Sequence, residues 1–398
     1  MKETLEGLEE YAAEVIYDRK QGFSASVLRV VLRGLSSIWN VGVKTRLFLY
    51  RKRILREHNL GCLVISIGNI TVGGTGKTPV VEMFAKSLSQ AGRKVAILSR
   101  GYKSERPSLW KRIKSRITGK TLILPPRTVS DGRKVLLDSR TSGDEPYMLA
   151  ANLKDVVVLV DKDRVKAGAW AIREHEADTL LLDDGLQYLR LKHRLDIVLV
   201  DRTAPFGTGH LLPRGTLREP ASSLRRAHYI FVTKCSREVS NDSVIDGIRE
   251  HNKTAEIIEC THAPQYLQNA FSQERLPLEA LQGKHIGTLS GIATPESFED
   301  SLTKLGATIE SKRRYTDHHR YREQEVLTFI NQSVDRDLAM IVTTEKDAVR
   351  LPKITRTDVP IFYLRVEIEI LSGEETWKEC IERICSPQAV EAVNRVFT

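Results

Sequence analysis

The sequence predicts an α/β fold: a parallel sheet with helices on both faces, a second, smaller α/β domain, and an N-terminal amphipathic helical segment. Three observations predict it. Short apolar runs alternate with helical stretches along most of the chain, 398 residues exceed what one core usually fills, and basic and apolar side chains interleave between Gln21 and His58. Residues 62–67, 95–99, 156–161, 180–183, 197–201, 230–233, 285–289, 340–344 and 361–366 read as strands, most of them uniformly apolar, as strands buried on both faces are. Residues 164–175, 297–305, 323–333 and 375–384 read as helices between them. Strand signals weaken across 236–241, which divides the chain into 1–60, 61–235 and 236–398.

Composition bounds the class. With 41% hydrophobic and 28% charged residues the chain is globular, not disordered, collagenous or polytopic. The five cysteines include no C-x-x-C pair and fit a reducing compartment, and the acidic start lacks the features of a secretory signal. The net charge of +10 is uneven: Gln21 to His58 and Lys103 to Arg127 each carry eight cationic residues against one acidic, so the remainder is net negative. Two local patches, rather than a generally basic surface, are what require explanation.

In the first patch no run of about 20 apolar residues survives Arg29, Arg33, Asn40, Lys44 and Arg46, so a spanning helix is excluded. Two readings remain: an amphipathic helix lying in a membrane interface, with arginines at anionic headgroups and Trp39 below them, or a helix packing its apolar side on the rest of the domain. The second patch reads as a solvated insertion or as another membrane-facing element.

The strongest chemical signal is a strand, a glycine-rich loop and a helix in succession. The run ending at Ile67 leads into Gly68-Asn-Ile-Thr-Val-Gly-Gly-Thr-Gly-Lys-Thr78, after which Val80, Val81, Phe84, Ala85 and Leu88 recur at helical spacing. Glycines let backbone N–H groups wrap around phosphate oxygens, and the helix N-terminus adds its positive dipole end. This predicts a P-loop in which Thr71, Val72, Gly73, Gly74, Thr75, Gly76, Lys77 and Thr78 cradle a nucleotide, with Lys77 on the β- and γ-phosphates and the Thr78 hydroxyl on Mg²⁺. Thr71 stands where the usual pattern begins with glycine. Residues 179–184, an apolar run ending in Asp183 and Asp184, supply the acidic partner that such a metal needs, since two buried carboxylates without a cation are costly. A further acidic pair, Asp144 and Glu145 in Gly-Asp-Glu-Pro, is read either as chemistry or as a helix N-cap. Asp317-His-His-Arg320, taken alone, reads more readily as a polar loop.

Together, Gly68 to Pro79, Ser99-Arg-Gly-Tyr102, Gly143-Asp-Glu-Pro146, Asp183-Asp-Gly-Leu-Gln187, Leu217-Arg-Glu-Pro220, Asp317-His-His-Arg-Tyr321 and Thr344-Glu-Lys-Asp-Ala-Val349 resemble, in order, the motifs of the tetraacyldisaccharide 4'-kinase family. The resemblance implies a P-loop kinase that moves the γ-phosphate of ATP to the 4'-hydroxyl of a tetraacyldisaccharide 1-phosphate. It places the enzyme peripherally on the cytoplasmic face of the inner membrane of a Gram-negative-type bacterium. It implies Asp144 with His318 as the catalytic pair beside Lys77; Glu145, Asp183, Asp184 and Thr78 as metal ligands; and Arg100, Tyr102, Arg164, Gln187 and Arg218 as contacts with substrate or phosphate. His319 stays open as an alternative to His318. Leu186 and Tyr188 depart from the family's aromatic and histidine around Gln187, and the altered first P-loop glycine is usual there. An acceptor with several acyl chains has to be met at a bilayer, which favours the interfacial reading of the first patch.

Two rival classes fare worse. A guanine-reading switch protein needs Asn and Asp where Thr233 and Ser236 stand, and a nucleic-acid-binding ATPase needs positive charge spread beyond two patches, so no nucleic-acid partner is expected.

Overall fold

The computed structural model describes Gly7 and residues 11–101, 125–356 and 358–386. Tyr102 and nearly all of the second basic patch lie outside the described residues. Thirteen strands form one sheet: β1 Leu63–Asn69, β2 Val95–Ser99, β3 Arg127–Asp131, β4 Val157–Val160, β5 Thr179–Asp183, β6 Leu195–Asp201, β7 Tyr229–Thr233, β8 Glu256–Asn269, β9 Arg275–Leu276, β10 His285–Ser290, β11 Thr308–Arg314, β12 Met340–Thr344 and β13 Ile361–Ser372. The helices, in chain order, are α1 Phe23–Arg51, α2 Lys77–Gln90, α3 Ser139–Ser142, α4 Asp144–Asn152, α5 Arg164–His175, α6 Asp242–Arg249, α7 Pro295–Lys304, α8 Glu323–Val334, α9 Glu345–Ala348 and α10 Glu374–Cys385.

The expected strands and helices all form, within two residues of their expected ends except β13, which runs six residues past its expected end to Ser372. Four strands were not expected. β3, β9 and β11 are short or polar edge pieces, and β11 (Thr-Ile-Glu-Ser-Lys-Arg-Arg) has little buried surface to pattern its sequence. In β8, polar residues and Pro264 mask a 14-residue strand.

The order is β11-β10-β12-β13-β8-β7-β6-β1-β5-β2-β4-β3, so β1 lies between β5 and β6 and β10 between β11 and β12. At such points strand order reverses and a crevice opens beyond the carboxyl ends of the strands. β1, β2, β5 and β7 are buried along their whole length, which is why they read as continuous apolar runs. α2 covers one face, where Phe84 meets Phe231 and Trp377 at centroid distances of 5.7 and 4.4 Å, so α10 returns from the end of the described chain to the core around β1. α5 covers the other face through Ala167 and Ala171, and begins at Asp163, whose carboxylate accepts the N–H groups of Val165 and Lys166.

Two long strands join the halves. β8 runs parallel to β7 over its first four residues, then antiparallel to β13, whose opening residues run parallel to β12. The antiparallel ribbon reverses the direction of the second set of strands. The carboxyl ends of β1, β2 and β5 therefore face those of β10 and β12, and the functional residues stand between them.

Candidate active site

The P-loop side follows from β1 and α2. Gly76, the residue before α2, has φ 78°, and Gly73 has φ 120°, backbone that residues with a Cβ rarely adopt. The His262 ring from β8 lies so close that a Cβ at Gly76 would come within 2.5 Å of it, a second demand for glycine. Thr71 needs no such freedom: it pairs strand-like with Leu217, and Val72 N–H donates to the Thr216 carbonyl at 2.7 Å. Lys77 Nζ rests 3.3 Å from Asn69 Oδ1 and 3.7 Å from Asp184 Oδ1, and Asn69 Nδ2 also donates to Thr75 Oγ1. Asn69 organises the loop, a role sequence reasoning left unassigned.

At the end of β5 the two aspartates differ. Asp183 accepts the Ser99 hydroxyl at 3.0 Å, and burial, then the charges of Glu145 and Asp184, push its pKa up to about 6. Burial also opposes ionisation of Asp184, but Lys77 and Arg218 outweigh it and hold that carboxyl below its ordinary value. Arg218 Nη1 lies 2.8 Å from both Asp184 oxygens, so this expected substrate contact is already engaged by a carboxylate. Arg164, another expected contact, is buried, lies over the Tyr188 ring at 5.0 Å and donates to the Asp183 carbonyl; it shapes the acidic pair from behind. Tyr188 binds Asp163 through its hydroxyl, at the start of α5. Gln187 donates to the Asn69 carbonyl, and its buried Oε1 has no partner among the described residues. Arg100 is exposed.

The acceptor side is assembled from distant segments. Gly143, not Asp144, is the cap of α4, which answers the N-cap reading of the acidic pair. Asp144, buried on the first turn, instead faces His318 Nδ1 at 3.4 Å, Arg350 Nε at 2.8 Å and Arg320 Nη2 at 3.1 Å. Burial raises its pKa, but the His318 hydrogen bond and the charges of Arg350 and Arg320 prevail, so the carboxyl is held below its ordinary value. His319 turns away, bonding Glu325 at 2.9 Å and stacking on Tyr315. Of the two histidines, His318 is the one that faces Asp144. Glu145 pairs with Lys346 of α9 at 3.3 Å. Arg350, Arg320 and Lys346 were all missed as site residues; the first and last belong to or follow the Thr344–Val349 motif, a legible signal without a role.

α1 lies beside this site. Trp39 Nε1 donates to the Arg218 carbonyl at 3.0 Å, Arg46 to the Gln187 carbonyl and Ser36 to the Leu211 carbonyl. One stripe of α1, with Leu28, Leu32, Val43 and Leu47, is half-buried; Ala25 is its one buried residue, and Phe23, Val30, Ile38 and Val41 are 64% exposed or more. Among the described residues no helix is long and apolar enough to cross a membrane.

With that geometry in place, the comparisons are decisive. Residues 28–386 match the family model described as tetraacyldisaccharide-1-P 4'-kinase. The chain belongs to this family. It is 33% identical over 380 residues to a tetraacyldisaccharide 4'-kinase of Halothermothrix orenii, covering 91% of this chain and 94% of that one. It is 37% identical over 352 residues to the same kinase of an Anaeromyxobacter strain, covering 88% and 90%. A crystal structure of LpxK from Aquifex aeolicus in complex with ATP superposes with a TM-score of 0.69 at 28% identity, over 90% of this chain and 99% of that one. As a member of the tetraacyldisaccharide 4'-kinase family, the protein is an ATP-dependent kinase of lipid A biosynthesis.

Proposed function

We propose that the protein transfers the γ-phosphate of ATP to the 4'-hydroxyl of a tetraacyldisaccharide 1-phosphate, acting on the lipid at the cytoplasmic membrane surface, where ATP is available. The observation that carries this reading is that Asp144, from α4 of the half that holds the P-loop, meets His318 from the C-terminal half beside that loop. The loop from Thr71 to Thr78 receives the phosphates, with Lys77 neutralising the β- and γ-oxygens. Asp144, held ionised by its cationic neighbours, accepts the proton of the sugar hydroxyl as that oxygen attacks phosphorus, and His318 orients and shares that proton.

The donor set suits Mg²⁺. Thr78, Glu145, Asp183 and Asp184 offer hard oxygens, and Asp183, whose pKa is raised by burial and then by the charges of Glu145 and Asp184, stands in a locally acidic group that a cation would relieve. Bound there, Mg²⁺ supplies charge neutralisation on the transferred group. Arg218, Gln187 and Arg100 are the proposed polar contacts at the mouth of the site, with Arg164 acting through Asp183.

α1, with basic residues interleaved among exposed apolar ones, rests in the headgroup layer and presents the acceptor to the site that Trp39 and Arg46 border. We divide the chain into this segment (1–60), a kinase core (61–235) and a C-terminal α/β unit (236–398) that contributes His318. Transfer of ³²P from γ-labelled ATP to a tetraacyldisaccharide 1-phosphate in detergent micelles tests the reading. Labelled bis-phosphorylated lipid is expected; ATP hydrolysis by folded protein without labelled lipid contradicts it.

A further inference from the structure

The Thr344–Val349 motif and the arginine after it have no role in the chemistry described so far, yet they touch most parts of the acceptor side. Arg350 has a fully buried side chain that uses four of its five N–H groups: Nε to Asp144 at 2.8 Å, Nη1 to the Gly291 carbonyl and to Asp347, each at 3.1 Å, and Nη2 to His318 Nδ1 at 3.1 Å. A buried guanidinium is costly unless paired, and here two buried carboxylates compensate it. Asp347, itself fully buried, accepts Gly291 N–H and the Thr344 hydroxyl as well, at 3.0 and 2.7 Å. Gly291 in turn accepts His318 N–H, which fixes a histidine whose φ of 66° is unusual for a residue with a Cβ. A Cβ at Gly291 would come within 3.1 Å of both Tyr321 Oη and Asp347 Oδ1, so a side chain there would press on the knot.

The contacts of Arg350 are specific to the reacting pair. Asp144 arrives from α4, His318 from the loop after β11 and Gly291 from the end of β10; one planar cation joins all three. Asp144 and His318 Nδ1, 3.4 Å apart, both touch this one guanidinium. We propose that Arg350 is a positioning residue for phosphoryl transfer, holding Asp144 and His318 in the relative geometry from which the acceptor hydroxyl is activated. Lysine cannot replace it, because a single ammonium lacks the fork that reaches carboxylate, imidazole and carbonyl together. The inference rests on Asp144 being the base.

The test is a double-mutant cycle on the full-length enzyme, with kcat, KM for ATP and KM for the lipid measured in micelles. Arg350→Lys is expected to lower kcat by on the order of 100-fold, the effect of displacing a catalytic group by about 1 Å, with both KM values within about threefold. Placed on Asp144→Asn, the same change should cost less than about threefold more, because the group it positions is already gone. A merely structural arginine predicts losses that multiply. Wild-type kcat in Arg350→Lys, a loss confined to KM for ATP, or multiplying losses would each overturn the positioning role. Should Arg350→Lys not fold, Asp347→Asn, which leaves Asp144, His318 and Arg350 in place, carries the same cycle: a kcat loss absorbed by Asp144→Asn supports the role, and an unchanged kcat overturns it. Full activity of Asp144→Asn itself would overturn the underlying assignment of the base, a result distinct from the others.

Discussion

The two sides of the crevice are built on opposite plans. The P-loop of the phosphate side comes from one uninterrupted stretch, Leu63 to Gln90, whose strand, loop and helix are adjacent in sequence and in space. The acceptor side takes Asp144, His318, Arg320, Lys346 and Arg350 from segments up to 206 residues apart, and depends on the long ribbon of β8 and β13 to bring them face to face. A contiguous site needs only local folding to form. An assembled one requires the whole sheet to close correctly, so it is sensitive to changes far from the chemistry.

The sharpest way to separate the sides is to damage each alone. Lys77→Ala removes the phosphate-side cation and should lower kcat/KM for ATP by on the order of 10³-fold, with the melting temperature little changed. A small effect on kcat/KM would break the comparison at its stronger half. The cross-connection is next. Arg365 of β13 pairs with Glu82 of α2 and with Glu345 of α9, all three side chains being buried or nearly so. Burial opposes the charge on Glu82, and Arg365 is what offsets it. Arg365→Met should therefore destabilise the protein by about 3 kcal/mol in chemical denaturation, since it strands two carboxylates. Loss of less than about 1 kcal/mol would show that the halves hold together without this bridge.

What the sequence discloses divides along the same line. The α/β class, the strands buried on both faces and the P-loop all express themselves in consecutive residues, where periodicity and glycine chemistry act. β8 and β11 do not, because an edge strand or a ribbon between two halves has no uniformly buried face to impose a pattern. Asp144 and Glu145 are visible as a motif, but their spacing fits a helix start as well as a catalytic role, and the contacts of Asp144 with Arg350 and His318 arise only in the closed fold. The choice between His318 and His319 is likewise a matter of which ring faces Asp144, a property of the closed fold.

Smaller effects sharpen the account at its margins. Ile38→Asp, on the exposed side of α1, should weaken retention by anionic vesicles about tenfold and leave ATP affinity unchanged. Equal retention would remove α1 from the interface. His262, against Gly76, has its pKa lowered to about 4 by burial and then by Lys234. Between pH 6.5 and 4 the unfolded chain binds a proton that the folded histidine refuses, so stability falls with falling pH by up to about 1.4 kcal/mol per unit. His262→Gln should flatten that part of the profile, and an unchanged slope would show that the ring titrates freely.

The most direct test of the divided site is Asp144→Asn, measured in parallel for single-turnover phosphoryl transfer to the micellar lipid and for equilibrium binding of ATP with Mg²⁺. The account predicts transfer slowed by about 10²- to 10⁴-fold with ATP affinity within about twofold of wild type. A matching loss of ATP affinity would place Asp144 on the phosphate side and contradict the division.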